Sequence, residues 1–275
     1  MRKFSIVAGL LAVFVLALSG CGKDDHVEGE EKTTIKVGTS PGPYSLLFLD
    51  AVKPILEEKG YTIKQVEFND LLQADVAMAD GGIDLNVDQH TAYLENFNEN
   101  KKADLTSITP IPTVPAGLFP GKKTSLDEIK EGDTIGIPND PSNAARAYAI
   151  LQKAEIIKLK DGVEPIKATA GDIEENPHGV KIVEMDSAQI PRSLSDLDYG
   201  VVPGSIVFAS NMDPSTKLIS EDVQDHLVLV ATTTEKHKDS QWAKDVVAAY
   251  QSDEFKEYLK GHNKDDYWFV PKELQ

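Results

Sequence analysis

From Thr34 onward, short apolar runs of strand length alternate with longer segments of helical period, and few folds accept that order. Ile35 and Val37 open a strand that stops at Gly38. Ser45 to Lys59 then carries Leu46, Leu49, Val52, Ile55 and Leu56 on one helical face, and Gly60 ends it. Tyr61 to Glu67 reads as the next strand, Leu71 to Ala79 as a helix closed by Gly81 and Gly82, and Ile83 to Asn86 as a third strand. The pattern resumes with a strand at Thr134 to Ile137, a helix at Ser142 to Ile156, strands at Lys181 to Met185 and Tyr199 to Val202, and one or two helices within Gln241 to Leu259. Strands separated by helices require crossover connections, so the chain is an α/β protein with mostly parallel, mixed sheets covered by helices on both faces. Four prolines within Thr109 to Lys123 forbid a long helix or a central strand there, and mark a crossover between two lobes.

The N-terminus sets the compartment. Arg2 and Lys3 precede a fifteen-residue run, Phe4 to Leu18, which is shorter than the roughly 20 residues that span a bilayer. Ser19 and Gly20 then leave room for a peptidase before Cys21, the one cysteine of the chain. Residues 1–20 are read as a lipoprotein signal peptide, and Cys21 as the acylated residue that carries diacylglyceryl and palmitate chains. Residues 21–32 are too polar to bury a core and serve as a tether. The expected location is the extracytoplasmic face of the cell membrane, held there by lipid.

With 28 Lys and Arg against 45 Asp and Glu among 275 residues, the net charge of −17 repels phosphate backbones, and nucleic acid is not an expected partner. One cysteine and six scattered histidines give no metal-ligand spacing, and no cofactor is expected. The serine-hydrolase, zinc-protease and dinucleotide motifs are missing too. The segment Ile135 to Lys158 carries more information. A strand ends at Pro138, Asn139 to Pro141 turn, and Ser142 is placed to cap a helix bearing Arg146 in about its first turn. A guanidinium beside a helix N-terminus is a receptor for a small carboxylate. The same residue pairing with a surface acid is the competing reading. As a cleft arginine it is expected to be exposed and to add little stability.

Several runs together resemble the NlpA, or methionine-binding, lipoprotein family. They are the lipobox, VGTSPGP (residues 37–43), DLNVDQHTAYLENF (84–97), IPNDPSNAARA (137–147), LQKAEIIKLKDG (151–162) and AQIPRSLSDLDYGVV (188–202). The resemblance implies a two-lobed fold like the type II periplasmic binding proteins, with residues 33–114 plus 222–275 in one lobe and 115–221 in the other. It also implies the substrate-binding component of an ABC importer, a monomer that captures an amino acid or short peptide and delivers it to a permease and its ATPase.

By that resemblance Arg146, Asn143 and His90 are ligand-binding residues. Other positions depart from the family pattern. The aspartate-tyrosine pair reads Asp70 and Leu71, the phenylalanine that packs on methionine reads Asp88, an asparagine near Pro203 and Gly204 reads Ser205, and another before a strand at Leu227 to Val230 reads His226. Leu71 fits a pocket or a core, His90 a ligand contact or a buried structural bond, and Asp88 turns outward if its register shifts. Two rivals stand beside solute capture: an enzyme using Asp88 and His90 as acid and base, and a surface adhesin with a vestigial cleft.

Overall fold

The computed structural model describes residues 33–264 and 267–275, of which Thr33 to Gln275 belong to one compact unit. The signal peptide, Cys21 and the tether lie outside the described residues.

The chain enters through β1 (Thr34–Thr39), whose Ile35 and Val37 are fully buried. The single helix expected over 45–59 is three pieces. α1 (Pro43–Leu47) widens into a π turn over Phe48–Val52, and α2 (Lys53–Glu58) follows. Pro54 has no N–H to return to the preceding turn, and just before it the Lys53 N–H reaches five residues back to the Phe48 carbonyl. β2 (Thr62–Glu67) pairs parallel to β1. α3 (Leu71–Ala79) begins at Asp70, whose side chain accepts from the Gln73 N–H at 2.9 Å. The third strand is later than its apolar residues suggest: β3 is Leu85–His90 and includes the polar run Asp88 to His90. α4 (Thr91–Lys101) and the edge strand β4 (Leu105–Pro110) complete this stretch, and Pro110 is tolerated because it closes an edge strand.

After a first crossing over 111–116 the chain builds a second sheet. β5 (Gly117–Pro120) is an interior strand despite the surrounding prolines, because Pro120 falls at its end. β6 (Thr134–Pro138) leads to α5 (Pro141–Lys153). The cap of α5 is Asp140, not Ser142: Pro141 takes the first helical position, and the Asp140 carboxylate accepts from the Asn143 N–H at 3.0 Å. A small ribbon, β7 (Lys158–Leu159) with β8 (Ile173–Glu175), precedes β9 (Lys181–Met185), α6 (Ile190–Ser193), β10 (Tyr199–Val202), α7 (Gly204–Ala209) and β11 (Ile219–Ser220). The strand order is β11-β5-β10-β6-β9, with β10, β6 and β9 parallel and β5 antiparallel to its neighbours.

A second crossing returns the chain to the first sheet, where β12 (Leu229–Thr234) inserts antiparallel between β3 and β4 to give the order β2-β1-β3-β12-β4. α8 (Gln241–Gln251) and α9 (Asp253–His262) then pack Trp242, Tyr250 and Phe255 onto the face that carries Ile35, Val37, Leu85 and Val87. The opposite face is covered from α3 and α4 by Ala74, Met78, Leu94 and Phe97. The second sheet is likewise sandwiched: Ala145, Tyr148 and Leu151 of α5 lie in one cluster with Ile135, Ile137 and Tyr199, while Ile190 and Val207 pack with Phe119 and Val202 in another. Burial at roughly 25 cal/mol per Å2 of apolar surface makes these layers the dominant stabilising term.

β3 and β12 are out of step. Leu229 and Val230 oppose His90 and Gln89, but Thr232 opposes Asn86, so Val87 and Asp88 share one partner position across a β-bulge. The bulge breaks the two-residue alternation. Val87 stays in the core against α1 and α8, Asp88 turns to Ser40 and Ser45, and Gln89 points to Asp75 of α3 at 2.9 Å.

Candidate functional site

The site forms where the two crossings meet the C-terminal end of β3 and the start of α5. The first crossing is pinned on both sides. The Val114 N–H donates to the Tyr44 hydroxyl at 3.1 Å, and Thr113 exchanges backbone hydrogen bonds with Phe269 at 2.9 and 2.8 Å. Gly204, the first residue of α7, lies against the same strand so closely that a Cβ there would stand 2.5 Å from the Val114 carbonyl oxygen. Any side chain at 204 would push α7 off the crossing.

Arg146 occupies the sixth position of α5, in its second turn rather than its first. It is 5% exposed, which corrects the expectation of an open cleft arginine pairing at most with a surface acid. Its partner is Glu221, itself buried: Arg146 Nε–H donates to Glu221 Oε2 at 2.5 Å and Nη2–H to Oε1. Burial works against both charges, yet each holds the other ionised. The carboxylate keeps Arg146 above its usual range, and the guanidinium keeps Glu221 below the usual carboxylate range. Arg146 Nη1 also donates to Asn143 Oδ1, at 3.4 Å.

Asn143 and His90 bridge the two halves of the fold. The cap of α5 holds the Asn143 amide: Nδ2–H donates to the two oxygens of the Asp140 carboxylate at 3.1 and 3.2 Å, which turns Oδ1 toward Arg146 and His90. His90 caps α4, its Nδ1 accepting from the Tyr93 N–H at 3.1 Å. That bond leaves the ring proton on Nε2, which donates to Asn143 Oδ1 at 3.2 Å. Burial, with help from the Arg146 charge, holds His90 down at about 3, so the ring is neutral at physiological pH.

The other sequence candidates are distributed around this group. His226 sits in a half-buried turn before β12, which starts at Leu229 rather than Leu227. Burial lowers its pKa, and it lies within electrostatic reach of His90. Ser205 faces the start of α1, its Cβ 4.0 Å from where a Gly42 Cβ would stand. Leu71 is half-buried at the start of α3 and packs into neither hydrophobic cluster of the first sheet. Asp88 is held within its own half of the fold: Oδ2 accepts from Ser40 Oγ and Ser45 Oγ at 2.8 Å each and from the Ser40 N–H at 3.2 Å. Its Oδ1 is buried and unpartnered among the described residues. Burial pushes its pKa up to about 6 against those three bonds. Asp88 and His90 thus answer to different partners, Ser40 and Ser45 for one and Tyr93 and Asn143 for the other. Their arrangement is not that of a coupled acid and base.

Sequence reasoning missed Glu221 and Tyr44. A signal for Glu221 exists. Arg146 is flanked by Ala144, Ala145, Ala147 and Tyr148 on an apolar helix, and an arginine buried there demands a buried carboxylate. Nothing in the sequence separates Glu221 from its neighbour Asp222, whose side chain is 73% exposed. Among the described residues no cluster of histidine, cysteine and carboxylate groups is arranged to hold a metal ion, and no helix is long and apolar enough to cross a membrane.

Two helix-covered mixed sheets joined by paired crossings, with a buried arginine and imidazole and a half-buried amide at the junction, define a two-lobed substrate-binding protein. The NlpA lipoprotein model matches residues 35–270, and the chain belongs to that family. It is 36% identical over 256 residues to the D-methionine-binding lipoprotein MetQ of Salmonella typhi, covering 92% of each chain. Among solved structures, a nutrient-binding protein from Burkholderia cenocepacia bound to methionine superposes with a TM-score of 0.79 at 36% identity, over 86% of this chain and 99% of that one. The substrate-binding protein of a methionine transporter from Streptococcus pneumoniae gives 0.78 at 31% identity, over 87% and 96%. The chain is therefore a solute-binding lipoprotein by family.

Proposed function

We propose that this protein captures an amino acid or a short peptide outside the cytoplasm and hands it to the permease and ATPase of an ABC importer. It is held at the extracytoplasmic face of the cell membrane through acylated Cys21 and acts as a monomer. Residues 33–114 with 222–275 move as one lobe and 115–221 as the other, hinged at the two crossings, and the closed form is what the permease receives. Capture breaks no bond.

The observation that carries this reading is the unused edge of Arg146. A guanidinium has five N–H groups; among the described residues Glu221 takes two and Asn143 one, which leaves one on each terminal nitrogen. Donors on both terminal nitrogens can meet the two oxygens of a carboxylate. His90 and Asn143 adjoin this edge, and Ser205, His226 and Leu71 are the remaining candidates for enclosing the solute. Asp88 then selects what lies opposite the carboxylate. Above its raised pKa it carries charge, with one oxygen lacking a donor, and a thioether placed beside it would leave that charge unanswered. A solute with an amino or other donor group reaching Asp88 binds better than methionine does.

Mass spectrometry of small molecules released on denaturing the purified protein, followed by calorimetric titration of stripped protein, tests the reading. An amino acid or short peptide carrying such a donor is the expected result. Submicromolar L-methionine binding that persists in Asp88→Asn would refute the role of Asp88, and failure of every amino acid and peptide to bind would refute solute capture.

A further inference from the structure

Glu221 joins the hinge to the binding group. It follows β11 directly, at the start of the second crossing, and faces Ala116 at the end of the first. Its N–H donates to the Ala116 carbonyl at 3.1 Å, and its own Oε1 accepts from the Ala116 N–H at 2.6 Å. The side chain therefore closes the pairing of the two crossing strands while both of its oxygens grip Arg146. Such a grip fixes the plane of the guanidinium and so the direction of the edge left for a solute.

The grip also cancels the charge of that guanidinium. Around it, the imidazoles of His90 and His226 are kept neutral by burial and add no positive charge. Asp140, the cap of α5, lies within electrostatic reach of Arg146 and adds a second carboxylate to that of Glu221. One other cation reaches Glu221, the half-buried Lys217, whose aliphatic stem lies against Gly117 and whose charge burial disfavours. A bare carboxylate arriving at Arg146 thus finds hydrogen-bond donors but no surplus positive charge.

We propose that Glu221 is a positioning and charge-selecting residue: by pre-neutralising Arg146 from the hinge, it restricts the site to solutes that bring their own cation, zwitterionic or basic amino acids and peptides, and rejects simple carboxylates and acidic amino acids. This inference rests on the proposal that the open edge of Arg146 takes the solute carboxylate. It adds the charge class of the solute and the residue that sets it. A site with an unpaired arginine would treat an amino acid and its deaminated analogue more evenly, because an incoming anion would then neutralise a buried charge instead of creating one.

The test uses stripped full-length protein, the twenty common L-amino acids and a dipeptide set, titrated by calorimetry. The tightest binder is then compared with its deaminated analogue, a net anion, and its carboxamide, a net cation. In the wild type the parent should bind about 100-fold or more tighter than the deaminated acid, with the carboxamide in between. In Glu221→Gln, whose folding is checked by its thermal melt, the parent-to-deaminated ratio should shrink by about tenfold or more, because the deaminated acid gains. A purely structural role would weaken both ligands alike and leave the ratio unchanged, which overturns the inference. Should the variant fail to fold, the wild-type order decides, since a deaminated acid that binds better than the carboxamide also overturns it. Binding of no amino acid or dipeptide overturns the proposed function itself, and this inference with it.

Discussion

Asp75 of α3 is fully buried beneath β3, and its stability consequences can be followed with pH. Gln89 Nε2–H donates to Asp75 Oδ1 at 2.9 Å, while Asp75 Oδ2 and Gln89 Oε1 are both buried without a partner among the described residues. A proton on Oδ2 answers both at once, since it neutralises the acid and supplies the donor that Gln89 lacks. Burial, together with the nearby Asp88 charge and against the Gln89 bond, pushes Asp75 up to about 8 from the usual 3.8. Between those two values the folded protein binds a proton that the unfolded chain has released, so stability falls as pH rises and levels off above about 8. The slope from this one group is about 1.4 kcal/mol per pH unit, or about 3 kcal/mol between pH 5 and pH 7. Asp75→Asn removes the ionisation and keeps the geometry, with its carbonyl accepting from Gln89 and its amide donating to Gln89 Oε1. Urea unfolding of stripped wild type and variant at pH 5, 6, 7 and 8 should show the variant gaining steadily on the wild type, at unchanged m-value. Parallel stability curves for the two proteins would refute the argument that Asp75 is folded as a neutral acid.

Other consequences concern the anchor and the buried ion pair. Cys21→Ser should move the protein from the membrane to the soluble fraction on cell fractionation, with the thermal melt of the released domain unchanged; persistent membrane association would refute acylation there. Arg146→Ala should weaken solute binding about tenfold or more by calorimetry. It should also lower apo stability by about 3 kcal/mol in urea, because Glu221 is left charged and buried, and an unchanged apo stability would mean the pair is hydrated in solution.

How much of this was legible beforehand depends on what marks each element. α3, β9 and β10 fall on the residues expected of them, because an Asp cap with paired glycines bounds the first and compact apolar runs define the others. The bounds failed where polar residues continue a strand: β3 runs on through Asp88 and Gln89, since its C-terminal end is an interior edge of the site and not of the core. The bulge at Val87 and Asp88 is set by a partner strand more than 130 residues away in the chain, and no local pattern reports it. The sequence candidates Arg146, Asn143 and His90 lie together in the structure, whereas no local pattern singles out Glu221 from Asp222, because its role comes from meeting Ala116 across the crossing strands. In the sequence Pro141 reads as part of the turn and Ser142 as the cap, but Pro141 is the first residue of the helix and Asp140 caps it.

The insertion of β12 between β3 and β4 has a consequence for how the chain acquires its shape. Every strand of the second sheet comes from one continuous stretch, residues 117–220, whereas the first sheet keeps a gap beside β3 until residues 229–234 are present. A nascent chain that has emerged as far as Ser220 can complete one half but not the other, since α8, α9 and the strand they follow are still to come. The half containing the N-terminus is therefore the last to close, and removing the final helices and β12 would take out an interior strand, not a tail.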